Sequence, residues 1–573
     1  MAIKFNVDLS GSSTRMLKVE MSIPLKKGIK EKISMPVWAP GSYLVRDFSR
    51  HISNIYALNG RITQLDKASW EISSEDDVVK VGYEVYCDEL SVQTSYADDS
   101  LVIINGSSVF FYVEGRKEEE YRVIFSNKAK GEPISGLPME GEEFVAENYD
   151  TLADSPFMYG NIKVLKFKVS GKEHFISYYG KMLKPEENVL DDFRKIVIEE
   201  EKIFGELPYK KYIFMIVLVT DDLGGGLEHK NSTLIISNEH RLFNEFEYKL
   251  FLSTVSHEFF HTWNVKRIRP KELGPFDYTK EVYTDLLWFS EGFTSYYEWL
   301  VLLRAGIVTE KEYVDHIIEM INYYNFQPGH KKRSASSSSF NTWIKLYKPD
   351  GDLINNYISY YLKGELIAFA INNEIIKDTG FNKSLDDVFK SLYNDFKGDG
   401  KGISFSELLK KVSDISSPRV SKILERLVNK TENEKFCDQL KELGYEIHFS
   451  YTDGRNIPRG FTGMVLQNSN GKIMIRYVLE DSPAFKSGIL AGDEIVAVNN
   501  ERFSEFFMRD FSKEMKQVKI EDLKEIKPDE KVKIHIFRRN TLKEFEMIAE
   551  EEPMWLTANK KEDTEILKKL VSG

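Results

Sequence analysis

The hydrophobic period changes twice along the 573-residue chain, so no single secondary-structure type can organise it. Up to about residue 165, short segments such as 79–85 and 121–125 alternate apolar and polar residues between Gly, Asn and Asp turns, which predicts an antiparallel β-sandwich. From about 185 to 445 the apolar spacing becomes helical, most clearly over 248–265, 286–304, 311–324 and 360–376, with one apolar strand at 212–219 ahead of them. From about 458 strand patterns return, at 473–478 and 531–537. The expected fold class is multidomain α+β: a β-sandwich over 1–165, a mainly helical domain over 166–450, a small third domain over 458–550 and a charged tail over 551–573.

Composition narrows the function classes. Hydrophobic residues make up 42% and charged residues 29%, as in soluble globular proteins, and a net charge of −12 without any Lys/Arg block argues against a nucleic-acid partner. Two cysteines, Cys87 and Cys437, are too few for a secreted disulfide scaffold and read as reduced and structural. The amino end lacks a basic-then-apolar leader, and no apolar run approaches the roughly 18–20 residues of a membrane span, so a cytoplasmic protein without a membrane partner is expected. The tract 331–339, with four consecutive serines and no periodicity, reads as an exposed loop.

The strongest chemical signal is His257-Glu258-Phe259-Phe260-His261 inside a predicted helix. Histidines at i and i+4 share one helical face and can hold a single Zn2+, while Glu258 can orient an attacking water and take its proton as general base. A polar helix face with a hydrogen-bonded histidine is the competing reading of the pentapeptide alone. Glu291, a lone carboxylate among apolar and aromatic neighbours, tips the balance, because burying it unpaired is costly and a metal would satisfy it. His257, His261 and Glu291 are then the metal ligands, with a fourth position open as in a catalytic site. Upstream, Gly225 and Gly226 can present bare backbone to an extended peptide, and Glu228 can bind a free ammonium group, although a flexible turn with an exposed glutamate is the plainer alternative. Downstream, a phenol from Tyr361 or its neighbour Tyr360 could donate to the oxyanion of a tetrahedral intermediate.

Taken together, residues 35–43, 225–229, 257–270, 288–297 and 361–364 resemble the glycyl aminopeptidase family of zinc metallopeptidases, which is similar to aminopeptidase N in its catalytic domain. The resemblance implies a thermolysin-like catalytic domain and one Zn2+ per chain on His257, His261 and Glu291. It implies Glu258 as base, Glu228 as receptor of the substrate amino terminus and Tyr361 as oxyanion donor, with Tyr360 its near competitor. The substrates implied are peptides with a free amino terminus and a small first residue, notably glycine or alanine. The 29 residues from 262 to 290 between His261 and Glu291 exceed the spacing of aminopeptidase N, as the glycyl aminopeptidase family leads one to expect. A zinc endopeptidase, or a non-catalytic peptide-binding adaptor, is the alternative reading.

The carboxy-terminal segments 479–484 and 487–499 resemble a PDZ domain. In that reading the loop 460–464 binds a peptide carboxylate, with Phe461, Gly463 and Met464 at the peptide site, unless the domain is purely structural.

Overall fold

The computed structural model describes residues 2–397, 400–431, 435–451, 457–503, 518–519 and 525–573. Among these, no helix is long and apolar enough to cross a membrane.

The amino-terminal part closes two sheets on a shared apolar core. A seven-stranded sheet runs Met139–Glu140, Glu143–Ala146, Tyr121–Ser126, Ile3–Asp8, Met16–Pro24, Val78–Tyr86, Ile52–Ala57, and a four-stranded one runs Tyr112–Val113, Lys30–Ser34, Ser69–Ser73, Arg61–Gln64. Alternation is the cause: Ile3, Phe5 and Val7 point inward together with Leu17, Val19, Met21 and Ile23. The pairing departs from the expected antiparallel pattern at one place, where Ile3–Asp8 lies parallel to Tyr121–Ser126. Side-chain alternation says which face a strand buries and nothing about its neighbour's direction.

A third small sheet, Ile134–Ser135, Phe157–Gly160, Leu101–Ile104, Tyr96–Ala97, joins this part to the next. Its Leu101, Ile103 and Met158 pack against Ile213, Met215, Leu227 and Leu234 of a five-stranded mixed sheet ordered Lys163–Val169, Lys172–Tyr179, Lys211–Val219, Ser232–Asn238, Gly225–His229. After Lys211, the strand Lys211–Val219 is apolar because both its faces are covered, the other one by the helices Glu186–Phe204 and Glu245–Phe260 through Phe193, Phe214 and Phe259. Gly225–His229 is the sheet's edge strand, antiparallel to Ser232–Asn238.

The helix Glu245–Phe260 starts where the Asn244 side chain accepts from the Phe246 and Glu247 amides. It ends at Phe260, short of the expected 265, and the chain turns on at His261. The predicted helix over 286–304 is a turn of π-helix, Trp288–Gly292, leading into the α-helix Phe293–Arg304. Glycine sets the crossing of that element with the helix Tyr360–Asp378: a Cβ on Gly292 would lie 2.5 Å from Gly364 Cα, and one on Gly364 only 2.4 Å from the Trp288 carbonyl.

Two sequence expectations need correction. The serine tract is no exposed loop: Ser334 caps a short helix, Ala335–Phe340, Ser338 and Ser339 are buried, and Ser339 Oγ accepts from the Trp288 amide at 3.0 Å. Serine here serves as cap and acceptor, a role that hydrophobic periodicity cannot register. Nor do residues 551–573 hang free as a charged tail. Trp555–Lys560 pairs antiparallel with Tyr445–Ser450, and the helix Glu565–Ser572 buries Ile566, Leu567 and Leu570 against the catalytic core.

Between these strands sits the third domain, a sheet of 518–519, Met464–Ser469, Lys472–Val478, Glu494–Val498, Lys531–Arg538 and Thr541–Ile548, with Glu501–Arg502 beside Glu494–Val498. It is fastened to the catalytic domain by Val465, Tyr477 and Leu479 against Ile354, and by Asn355 bonded to the Val478 carbonyl and the Glu480 amide.

Candidate active site

His257 and His261 stand one turn apart with ring centroids 4.7 Å from each other. The π-turn brings Glu291 beneath them: its Oε2 is 3.4 Å from His257 Nε2 and 3.3 Å from His261 Nε2. The opposite ring nitrogens are already engaged, His257 Nδ1 with Glu298 Oε2 at 2.7 Å and His261 Nδ1 with the Asn264 carbonyl at 2.6 Å. Two Nε2 atoms and one carboxylate oxygen therefore converge on a single point, the donor set that suits Zn2+. Burial works to raise the Glu291 carboxyl, but His261 and His257 outweigh it and hold it below the usual carboxylate range.

Glu298 and Asn264 were missed from sequence. Glu298 follows Glu291 by seven residues, two turns along one helix, so a face count could have found it. Asn264 had no such signal. Its side-chain amide donates to the Phe289 and Ser290 carbonyls, tying the turn after His261 to the π-turn that bears Glu291.

Glu258 is 6% exposed and its Oε2 accepts no hydrogen bond. Burial pushes its carboxyl up to about 7, against the opposing pull of His257 and His261. The edge strand passes so close that a Cβ at Gly226 would fall 2.1 Å from Glu258 Oε1. Gly225, at φ +139°, would meet only Val92 at 3.9 Å.

Glu228, two residues further along this strand, is 4% exposed, and its Oε1 also lacks a hydrogen bond. Lys266 Nζ stands 3.4 Å from that oxygen, an ion-pair distance without hydrogen-bond alignment, and is held more closely by Asp154 at 2.8 Å. Asp154 comes from the segment leading out of the amino-terminal domain and also accepts from the Lys230 amide at 2.9 Å, so two domains clamp the end of the strand that carries Glu228. Burial would raise the Asp154 carboxyl, but Lys266 and His229 outweigh it and take it to about 2. Neither Asp154 nor Lys266 was expected from sequence.

The two tyrosines separate. Tyr360 is fully buried, with its hydroxyl 3.3 Å from Thr342 Oγ1. The Tyr361 ring stacks on His257 at 6.2 Å and so faces the metal-ligand side. A cavity of about 560 Å³ between the amino-terminal and catalytic domains is lined by Glu228, Gly41, Tyr43 and Lys266, and by none of His257, Glu258, Glu291 or Tyr361.

Phe461, Gly463 and Met464, the residues expected at the PDZ peptide site, all lie against packed neighbours. Met464 is fully buried in that domain's core, Phe461 packs into the seam with the catalytic domain, and a Cβ at Gly463 would lie 2.1 Å from Ser482 Cβ. Phe461 alone of the three packs where the two domains meet, whereas Met464 belongs to the PDZ core itself.

Comparison with known proteins agrees with this layout. Residues 4–161 match the peptidase M61 N-terminal domain, residues 250–367 the M61 glycyl aminopeptidase and residues 450–533 the PDZ domain. The crystal structure of an aminopeptidase N family protein from Idiomarina loihiensis superimposes with a TM-score of 0.91 at 26% identity, covering 99% of this chain and 100% of that one. Aminopeptidase N of Caulobacter vibrioides is 26% identical over 189 residues, 30% of this chain, and the match spans only 21% of that relative's length. Both M61 domain models match in chain order, and His257, His261 and Glu291 all fall inside the catalytic match, so the chain is similar to M61 glycyl aminopeptidases through its amino-terminal and catalytic domains, with a PDZ match following them.

Proposed function

We propose that this protein removes amino-terminal residues, small ones such as glycine and alanine, from peptides with one Zn2+ per chain. The observation that carries the reading is Glu228: a buried carboxylate whose Oε1 accepts no hydrogen bond and has only Lys266 at 3.4 Å, on an edge strand that also runs past Glu258. An endopeptidase has no use for such a group, whereas an ammonium would satisfy it.

The substrate backbone lies along Gly225–His229, where Gly225 and Gly226 leave no side chain in the way, and its ammonium group pairs with Glu228. Zn2+ on His257, His261 and Glu291 would polarise the scissile carbonyl and acidify the attacking water. Glu258 takes the proton of that water and passes it to the departing amine. Its burial, with Oε2 accepting no hydrogen bond, leaves that carboxylate free to hold the water. Tyr361 donates its hydroxyl to the developing oxyanion. Glu298 and the Asn264 carbonyl orient the two imidazoles. The two cysteines, both free, suit a reducing cytoplasm.

The test is hydrolysis of a glycine-initiated peptide by zinc-loaded protein, with free and acetylated amino termini compared and Glu258→Gln as control. Cleavage of the free peptide alone, lost in the control, supports the assignment. Equal cleavage of both would remove Glu228 from the mechanism and favour an endopeptidase, and cleavage of neither would leave a peptide-binding protein.

A further inference from the structure

The space in front of Glu228 is enclosed by aromatic side chains from two domains. Gly41 lies at φ +85°, and a Cβ there would sit 2.8 Å from both Glu228 oxygens and 2.7 Å from Leu227 Cδ1, so the loop 38–43 of the amino-terminal domain touches the amine-binding carboxylate directly. Two residues on, Tyr43 is 3% exposed and meets Trp343 edge-on at 5.7 Å and Tyr347 edge-on at 6.0 Å. Tyr347 in turn lies beside Tyr361, whose ring stacks on His257. Contacts thus run unbroken from the amine end of the site to its metal end. Both phenols are pushed up, by burial first and then by nearby charge that includes Glu291 and Glu228, which puts each within electrostatic reach of both ends.

We propose that Tyr43 and Tyr347 are specificity-determining residues, a two-domain aromatic wall that holds the first residue of the substrate to glycine or alanine. The proposal rests on the aminopeptidase reading above. With the ammonium on Glu228 and the carbonyl at the metal ligands, the first Cα lies between them, and its side chain projects towards the rings. Trp343, itself 3% exposed and bonded through Nε1 to the Val282 carbonyl, backs Tyr43 so that it cannot swing away without disturbing a packed core. An isobutyl or benzyl group needs volume these rings already fill. The other destination for a large side chain is the 560 Å³ cavity, which shares Gly41, Tyr43 and Glu228 with the site.

The experiment measures kcat/KM for Gly-, Ala-, Leu- and Phe-initiated amides with the zinc-loaded full chain and its Tyr347→Ala, Tyr43→Ala and Tyr347→Phe variants. The wild type is expected to favour Gly and Ala. Either alanine variant is expected to raise the Leu-to-Gly ratio roughly tenfold or more, the scale on which a pocket discriminates by a few methylenes, while Tyr347→Phe keeps the wild-type ratio. Any disturbance of the neighbouring Tyr361 slows all substrates together, so the ratio isolates the steric effect. Zinc content and Tm accompany each variant, and Tyr347, only half-buried, carries the test if Tyr43→Ala does not fold. A ratio unmoved in an alanine variant that still cleaves the Gly substrate overturns the wall, as does a wild type that takes Leu and Phe as fast as Gly, which would send the side chain into the cavity. A wild type releasing no first residue from any free-amine substrate would instead fail the aminopeptidase reading itself.

Discussion

Gly226 and Gly463 each admit a neighbour too close for any side chain, yet the neighbours differ. At Gly226 it is Glu258 Oε1, 2.1 Å from where a Cβ would stand, and that carboxylate keeps its other oxygen buried and unpartnered. At Gly463 it is Ser482 Cβ, also at 2.1 Å, and Ser482 simply caps the helix Pro483–Ser487 by accepting from the Phe485 amide. Both loops carry a glycine pattern that reads from sequence as a peptide site. Glycine records a close approach; function lies where that approach leaves a buried polar group without a partner.

The comparison can be broken most directly at Glu258. Replacing it by Gln is expected to lower kcat by roughly 10²–10⁴-fold with zinc content unchanged, and a variant retaining full activity would strip the unpartnered oxygen of its meaning. Next come the glycines themselves. Gly226→Ala should displace Glu258 and cost about a hundredfold in kcat/KM while the protein stays folded. Gly463→Ala, at φ +81°, should instead cost about 1–3 kcal/mol of PDZ stability in a thermal unfolding scan and leave kcat unaltered. Exchanged outcomes would reverse the assignment of the two loops.

Smaller effects sharpen the contrast between groups buried for chemistry and groups buried for packing. Glu298→Gln should weaken zinc binding by about 10–100-fold in a competition titration, since the His257 ring loses its anionic partner. His174, fully buried with Nε2 2.8 Å from the Tyr209 hydroxyl, is a structural counterpart: burial pushes its imidazole from 6.5 down to about 4. The unfolded chain therefore binds the proton more tightly, and stability present above pH 6.5 is lost as pH falls towards 4. Urea unfolding at pH 7 and pH 5 should show His174 responsible for about 2 kcal/mol of the difference, and His174→Phe should remove that share.

Much of the site was legible because its parts are local. The i, i+4 spacing of His257 and His261 holds in any helix, although this one stops at Phe260, and the lone carboxylate of 288–297 stood out against its apolar neighbours. The serine tract and the carboxy-terminal segment were misjudged for one shared reason. The Ser339 hydroxyl, which accepts from the Trp288 amide, and a strand that pairs with Tyr445–Ser450 draw their role from residues far off in the chain.

The identity of the donor residues and their order along the chain is thus a property of the sequence, since helical and strand periods act over a few residues. Which tyrosine faces His257, how Lys266 and Asp154 come to flank Glu228, and why the loop 38–43 reaches across from another domain were decided by tertiary structure alone. Asp154 and Lys266 are 112 residues apart, and Trp38 bonds to the Asp277 carbonyl 239 residues away. Periodicity carries no information over such separations; only the packing of sheets and helices brings those groups within a few ångströms of one another.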